Sequence, residues 1–322
     1  MLWSLEDNKL LTKNQIGVMY MVASVICFSV MDICVKWLNY YPVGQVLFLR
    51  FFIGFIPIFF IIPKSRLLDF YKTSRPGLHA FRAITGALAI IALFFGLREL
   101  PLADVVSLTF GGPIFVTVAS IFFLSERVGI KRWSAVLVGF IGMLLIVQPA
   151  FINLNYYYIS PIIFCIFFAC VAISVRSLSK TEPNYRIAFY FTFLGSVLGL
   201  ATIFQGNWVL PTKIDLAIFI IMGLCGSVAN LLLTQSYRLA EASLVTPIKY
   251  LSLVFAIVFG FLIWSEIPKL LTIFGALLVI TSSLIIFMRE KKLKNQIINP
   301  RPWVKRQGIG QRPKKFYPKE IK

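Results

Sequence analysis

The chain has 322 residues, 58% of them hydrophobic and 14% charged, with a mean hydropathy of +0.83. Soluble domains carry charge on roughly a quarter of their residues, so water is not the solvent around most of this surface. The net charge of +19 does not mark a nucleic-acid binder: twelve of the 32 Lys and Arg lie between Arg289 and Lys322, and no basic stripe is interleaved with stacking aromatics.

With lipid as solvent, each crossing needs about 20 mainly apolar residues. Ten such segments follow in chain order, at 16–38, 43–62, 77–97, 102–124, 130–148, 157–178, 187–205, 214–237, 242–264 and 270–288. Pro57, Gly111, Gly112 and Pro113 fall inside them, where neighbouring helices can satisfy the freed backbone groups. Residues 1–15 read as a polar cytoplasmic N-terminus without a cleavable signal peptide. Residues 289–322 read as a basic, disordered cytoplasmic tail that cannot bury a core and can lie against anionic lipid.

Basic residues set the orientation. With the N-terminus inside, Lys9, Lys13, Lys64, Arg66, Lys72, Arg75, Arg127, Lys131, Arg132, Lys180, Arg186 and Arg238 face the cytoplasm, against Arg98, Lys213 and Lys269 outside. Trp37 and Trp264 then end their helices at the outer interface, and Trp133 begins one at the inner. The expectation is a multi-pass protein of the cell inner membrane with both termini cytoplasmic.

Enzyme chemistry has little to stand on. Cys27, Cys34, Cys165, Cys170 and Cys225 all lie in apolar runs without zinc or disulfide spacing. His79 is the single histidine, and neither H-E-x-x-H nor G-x-x-x-x-G-K-[ST] occurs. No metal, cofactor or nucleic acid is expected, and the partners are the bilayer and a small-molecule substrate. An integral-membrane enzyme, or a receptor or structural protein that moves nothing, is the reading from another class.

Internal repetition carries more information. Shifted by 140 residues (266 less 126), Val35-Lys36 falls on Val175-Arg176, Gly86 on Gly226, Arg98 on Arg238, and Ser125-Glu126 on Ser265-Glu266. Charged and glycine residues are rare in apolar helices, so coincidence at one constant shift is improbable. Each block, 16–148 and 156–288, holds five spans. An odd number threads the second block in the opposite sense, the inverted plan of many secondary transporters. The expected fold is an all-α integral membrane protein of ten transmembrane helices in two inverted five-helix repeats.

Several stretches resemble the EamA-type drug/metabolite transporters. Pro101–Val147 holds Phe110-Gly111-Gly112-Pro113 and Ser125-Glu126-Arg127; Glu241–Phe287 holds Tyr250-Leu251 and Ser265-Glu266-Ile267-Pro268; the Lys36 and Arg82 contexts are also similar. The resemblance implies ten helices, two EamA-like domains and transport of small organic solutes such as amino acids, S-adenosylmethionine or riboflavin. Lys249 stands where similar sequences often carry an acid or an amide.

Ionisable groups in lipid-spanning helices cost roughly 2.5–3.5 kcal/mol at the centre, so each needs a reason. Asp32 and Lys36, four apart, share one helix face and can pair. Asp32 can instead meet Arg50, holding the first two helices together or gating, and it is the candidate proton carrier. Lys36, Arg82, Asp104 and Arg176 lie near helix ends, from which such side chains can snorkel. Lys249, seven residues into the ninth span, must find a partner, lose its proton or meet an anionic substrate group. Ser227, Asn230 and Gln235 add hydrogen-bonding groups that can join helices, and Gly195 and Gly199 have the spacing for close helix approach. Glu126 and Glu266 repeat, which points to the fold, such as capping the following helix. The candidate substrate-binding or gating set is Lys249, Arg50, Asp32, Lys36, Asn230 and Tyr250. Its excess of cations favours solutes bearing carboxylate or phosphate.

Overall fold

A computed structural model describes residues 13–63, 69–124, 130–153, 155–178, 181–240 and 246–298. Eleven α-helices are described: α1 Lys13–Trp37, α2 Val43–Ile61, α3 Pro76–Glu99, α4 Leu102–Thr109, α5 Gly112–Leu124, α6 Ile130–Asn153, α7 Ile159–Leu178, α8 Asn184–Ala201, α9 Lys213–Leu239, α10 Leu251–Trp264 and α11 Leu270–Ile298. Proline sets several starts. Pro42, Pro101 and Pro183 sit in extended geometry just before α2, α4 and α8, and Pro76 opens α3, where its missing N–H would have had no helical partner. At α9 the Thr212 hydroxyl accepts from the Asp215 N–H at 3.2 Å, a side-chain cap.

Six helices are long and apolar enough to cross a membrane: α1, α2, α3, α7, α8 and α9. Four further apolar stretches are shorter. Two of the ten predicted spans are interrupted. The 102–124 segment breaks at Phe110-Gly111, between α4 and α5, and the 246–250 stretch of the ninth is a 3-10 turn before α10 starts at Leu251. Both breaks fall at one point of the repeat, since Phe110 and Tyr250 are 140 apart. The predicted tail boundary at 289 is too early. Helix α11 runs on to Ile298, because the Arg289–Lys294 stretch of Arg, Glu, Lys and Leu favours helix even where it is polar.

The helices of one half pack on those of the other. Helix α1 lies along α9 as α3 lies along α7, and α2 crosses α9 as α8 crosses α3. The 140-residue shift matches α1 to α7, α2 to α8, α3 to α9 and α6 to α11. Each contact therefore recurs with the halves exchanged, while α2–α8 and α6–α11 are their own counterparts. Small residues permit these approaches. A Cβ on Gly142 would stand 2.7 Å from the Gly275 carbonyl oxygen, and one on Gly199 would stand 2.6 Å from the Phe48 nitrogen. Ser227 donates to the Gly54 carbonyl at 2.8 Å, joining α9 to α2, whereas Asn230 donates to Gly226 on its own helix.

Polar ties close both ends of the bundle. At the end carrying 38–42, Tyr41 donates to Asp215 at 3.0 Å and the Gln45 amide donates to Val209 at 2.6 Å. At the other end Arg186 donates to Phe70 and to Glu182, which also accepts from Thr73 at 2.7 Å. Burial alone pushes the Glu182 carboxyl up, but the Arg186 and Thr73 hydrogen bonds and the guanidinium charge outweigh it, holding it below the ordinary glutamate value. A lowered carboxyl contributes stability that is present above its ordinary pKa of about 4.3 and lost as pH falls through the folded value. Glu182→Gln is therefore expected to lower the unfolding temperature at pH 7 and to match wild type near pH 3. Equal unfolding temperatures at pH 7 would remove Glu182 from the tie.

Candidate translocation site

Two pairs of rings stand where the halves meet. Phe51 and Phe191 lie edge-on with centroids 4.9 Å apart, and Phe110 and Tyr250 do the same at 5.0 Å. The members of each pair are 140 residues apart. A residue can touch its own counterpart only close to the axis that exchanges the two halves. The two contacts thus fix two points on that axis, one at the α2–α8 crossing and one at the helix breaks.

At the 38–42 end, Lys36 is buried and forms an ion pair with Glu266 at 2.5 Å. Its ammonium also donates to the Leu100 carbonyl and lies 5.3 Å from the centre of the Trp264 ring. The sequence builds the acceptor locally. Helix α10 ends with Ser265 in the left-handed region (φ 54°), which returns the Ser265 and Glu266 N–H groups to Phe261 and Gly260. This turn folds Glu266 back beside Gly260, where a Cβ would stand 3.2 Å from Oε2. Oε2 in turn accepts the Leu102 N–H at 2.9 Å, in the first turn of α4. Two expectations change. Lys36 does not snorkel and does not pair with Asp32, because a carboxylate from the other half reaches it first. Glu266 caps α4 across the repeat boundary rather than the helix that follows it. Glu126 and the Arg176 side chain lie outside the described residues.

Asp104 is also buried rather than snorkelling. It accepts from Tyr158 and, at 2.8 Å, from Thr272, and with Pro101 and Lys269 it lines a cavity of about 150 Å³. Asp32 is half-buried and lines a narrow crevice with Ser29, Val106 and Ser252, between α1, α4 and α10. Among the described residues no ion pair joins Asp32 to Arg50, contrary to expectation. The Asp32 charge reaches Arg50 through space, while the Arg50 Nε donates to the Met31 sulfur at 3.4 Å and the guanidinium lies over Phe51 at 4.8 Å. Arg82 lies over Phe191 at 4.0 Å, and its Nε and Nη1 are buried without a hydrogen-bond partner. A desolvated cation–π contact contributes about 2 kcal/mol, whereas burying an ion costs several. The rings alone do not offset the burial.

Lys249 and Tyr250 belong to the 3-10 turn at the second helix break, and Lys249 is half-buried there. The Tyr250 ring rests on Phe110. Asn230 lies one turn along α9 from Gly226, beside which the Arg50 guanidinium sits. The candidate set thus divides into an ion-paired residue at one end (Lys36), a group around α1, α2 and α9 (Asp32, Arg50, Asn230), and a group at the break (Lys249, Tyr250). Sequence reasoning missed Glu266 as a partner and Phe51 and Phe191 altogether, and it met Phe110 only as part of a family motif. The signal for those rings was present, since aromatic side chains recur at the same 140-residue shift.

A helical membrane bundle of two matching halves, with polar groups gathered where the halves and the broken helices meet, is built as a transporter. The chain belongs to the EamA-like transporter family, which it matches over residues 15–148 and again over 155–288. It is 28% identical over 295 residues to the S-adenosylmethionine uptake transporter of Rickettsia bellii, covering 90% of this chain and all of that one. It is likewise 28% identical over 280 residues to the pseudopaline exporter CntI of Pseudomonas aeruginosa, covering 86% and 97%. It is also 28% identical over 281 residues to the riboflavin transporter of Rhizobium johnstonii, covering 86% and 92%.

Proposed function

We propose that the protein is a secondary transporter that moves a small organic metabolite across the cytoplasmic membrane by alternating access. The four shorter apolar stretches complete ten spans, arranged as two inverted five-helix repeats with both termini in the cytoplasm. The observation that carries this reading is the meeting of residues 140 apart at Phe51–Phe191 and Phe110–Tyr250. A rocking motion about the line joining those contacts exchanges which end of the bundle is closed. Relatives named for S-adenosylmethionine uptake, pseudopaline export and riboflavin transport support a metabolite cargo. Lys36 and Glu266 form the closure at the outer end, and Arg50, Asp32, Asn230, Lys249 and Tyr250 line or gate the path.

Uptake and efflux of labelled amino acids, S-adenosylmethionine and riboflavin, compared in cells with and without the gene, is the direct test. At least one solute is expected to move only when the protein is present, and Lys249→Ala is expected to abolish that flux at normal membrane abundance. Wild-type flux in that variant removes Lys249 from the path. Purified protein that moves nothing in proteoliposomes but turns over a lipid or peptide makes it an enzyme instead.

A further inference from the structure

We infer that the path holds a divided anion site, in which the guanidiniums of Arg50 and Arg82 take a carboxylate or phosphate of the transported solute. This rests on the transport reading and narrows its cargo to metabolites bearing such a group. The two guanidiniums flank the axis: Arg50 lies over Phe51 at 4.8 Å, Arg82 over Phe191 at 4.0 Å, and those rings touch each other. Each also rests against an equivalent glycine. A Cβ on Gly226 would stand 3.3 Å from the Arg50 Nε, and one on Gly86 would collide with the Arg82 Nη1.

Duplication of the repeat does not account for this placement. The residue 140 beyond Arg50 is Tyr190, and the one 140 beyond Arg82 is Met222. The charges reach equivalent places from different helices, one from α2 and one from α3. Two independent arrivals at one symmetric position imply that the path uses the charge in both halves. Neither guanidinium is satisfied by the described residues. Among the described residues, Arg50 donates only to a thioether, and Arg82 keeps Nε and Nη1 unbonded with no acidic group acting on it. His79, one turn earlier on the Arg82 face, is buried with both ring nitrogens unbonded. A planar guanidinium with free donors matches carboxylate and phosphate oxygens in paired hydrogen bonds. With one such group nearer each end of the bundle, the anion can be passed from one to the other as the halves rock.

The test uses full-length protein in proteoliposomes with labelled solutes in matched pairs: S-adenosylmethionine with its decarboxylated form, methionine with methioninol, and flavin mononucleotide with riboflavin. The carboxylate- or phosphate-bearing member of at least one pair is expected to move faster. Arg50→Gln and Arg82→Gln are each expected to lower that flux about tenfold or more, with Arg→Lys restoring part of it. Should a Gln variant fail to reach the membrane, phenylglyoxal labelling of both arginines in the wild type, read by mass spectrometry, replaces it. The transported anion is expected to protect them, and absence of protection overturns the site. If only the members lacking the anionic group move, or the Gln variants carry the anion at the wild-type rate, the anion site is wrong and transport stands. If no solute moves, the transport reading fails and the anion site falls with it.

Discussion

Replacing Lys36 with alanine is expected to abolish transport and to destabilise the folded protein by about 3 kcal/mol or more, as when one partner of a buried ion pair is removed. The ammonium holds Glu266 at 2.5 Å, and Glu266 also caps the first turn of α4. Without Lys36 the carboxylate keeps one N–H donor and loses the cation that balances it. A purely structural pair would tolerate exchange of the two charges. The Lys36→Glu, Glu266→Lys double variant instead places an ammonium against the Leu102 N–H, a donor facing a donor. It is therefore expected to recover less than half of the stability and little of the flux. Thermal unfolding in detergent and solute flux in proteoliposomes read the two effects separately. Wild-type flux in Lys36→Ala would show that the closure lies elsewhere.

The same pair shows what the sequence makes legible. Ser125-Glu126 and Ser265-Glu266 stand out because acidic residues seldom end apolar spans, so the repeat and its period can be read without coordinates. The period does not say whom Glu266 meets. Lys36 has an acid four residues away on its own helix, and spacing along one helix is all that a linear reading can weigh. The actual partner lies 230 residues further on, delivered by a left-handed turn at a serine, which no periodicity announces. Arg50 fails in the same way. Asp32 sits at a plausible depth but faces the α4–α10 crevice, while the guanidinium turns toward Met31 and Phe51. Depth along a helix is readable from rise per residue; rotation about its axis, in a span apolar on nearly every side, is not. The broken spans lie between these cases. Gly111, Gly112 and Pro113 mark the first break in plain letters, but the second, before Leu251, has no glycine and is marked only by Pro247 and by its counterpart.

Gly142→Leu is expected to remove most folded protein from the membrane, whereas Gly77→Leu is expected to leave its abundance unchanged. Both are glycines within helices, so a loss caused by side-chain bulk alone would affect the two alike. Their surroundings differ. A Cβ on Gly77 meets nothing within 4 Å, while one on Gly142 would stand 2.7 Å from the Gly275 carbonyl oxygen and 2.9 Å from the Leu278 Cβ. The obstacle at Gly142 is backbone on one side and the base of a side chain on the other, so no rotamer change relieves it. Helices α6 and α11 would have to separate. That would pull the Ser282 hydroxyl from the Ala135 carbonyl, which it now meets at 2.6 Å. Overpacking a close-fitted core costs about 1–3 kcal/mol when side chains can adjust, and a backbone obstacle places this site at or above the upper end. The α6–α11 crossing is its own counterpart under exchange of the halves, as is α2–α8, so these two crossings hold the repeats together. Abundance and unfolding temperature of the two variants in the same membranes check the argument. Normal folding of Gly142→Leu would mean that the crossing is loose enough to admit four carbons, and that α6 and α11 do not clamp the halves.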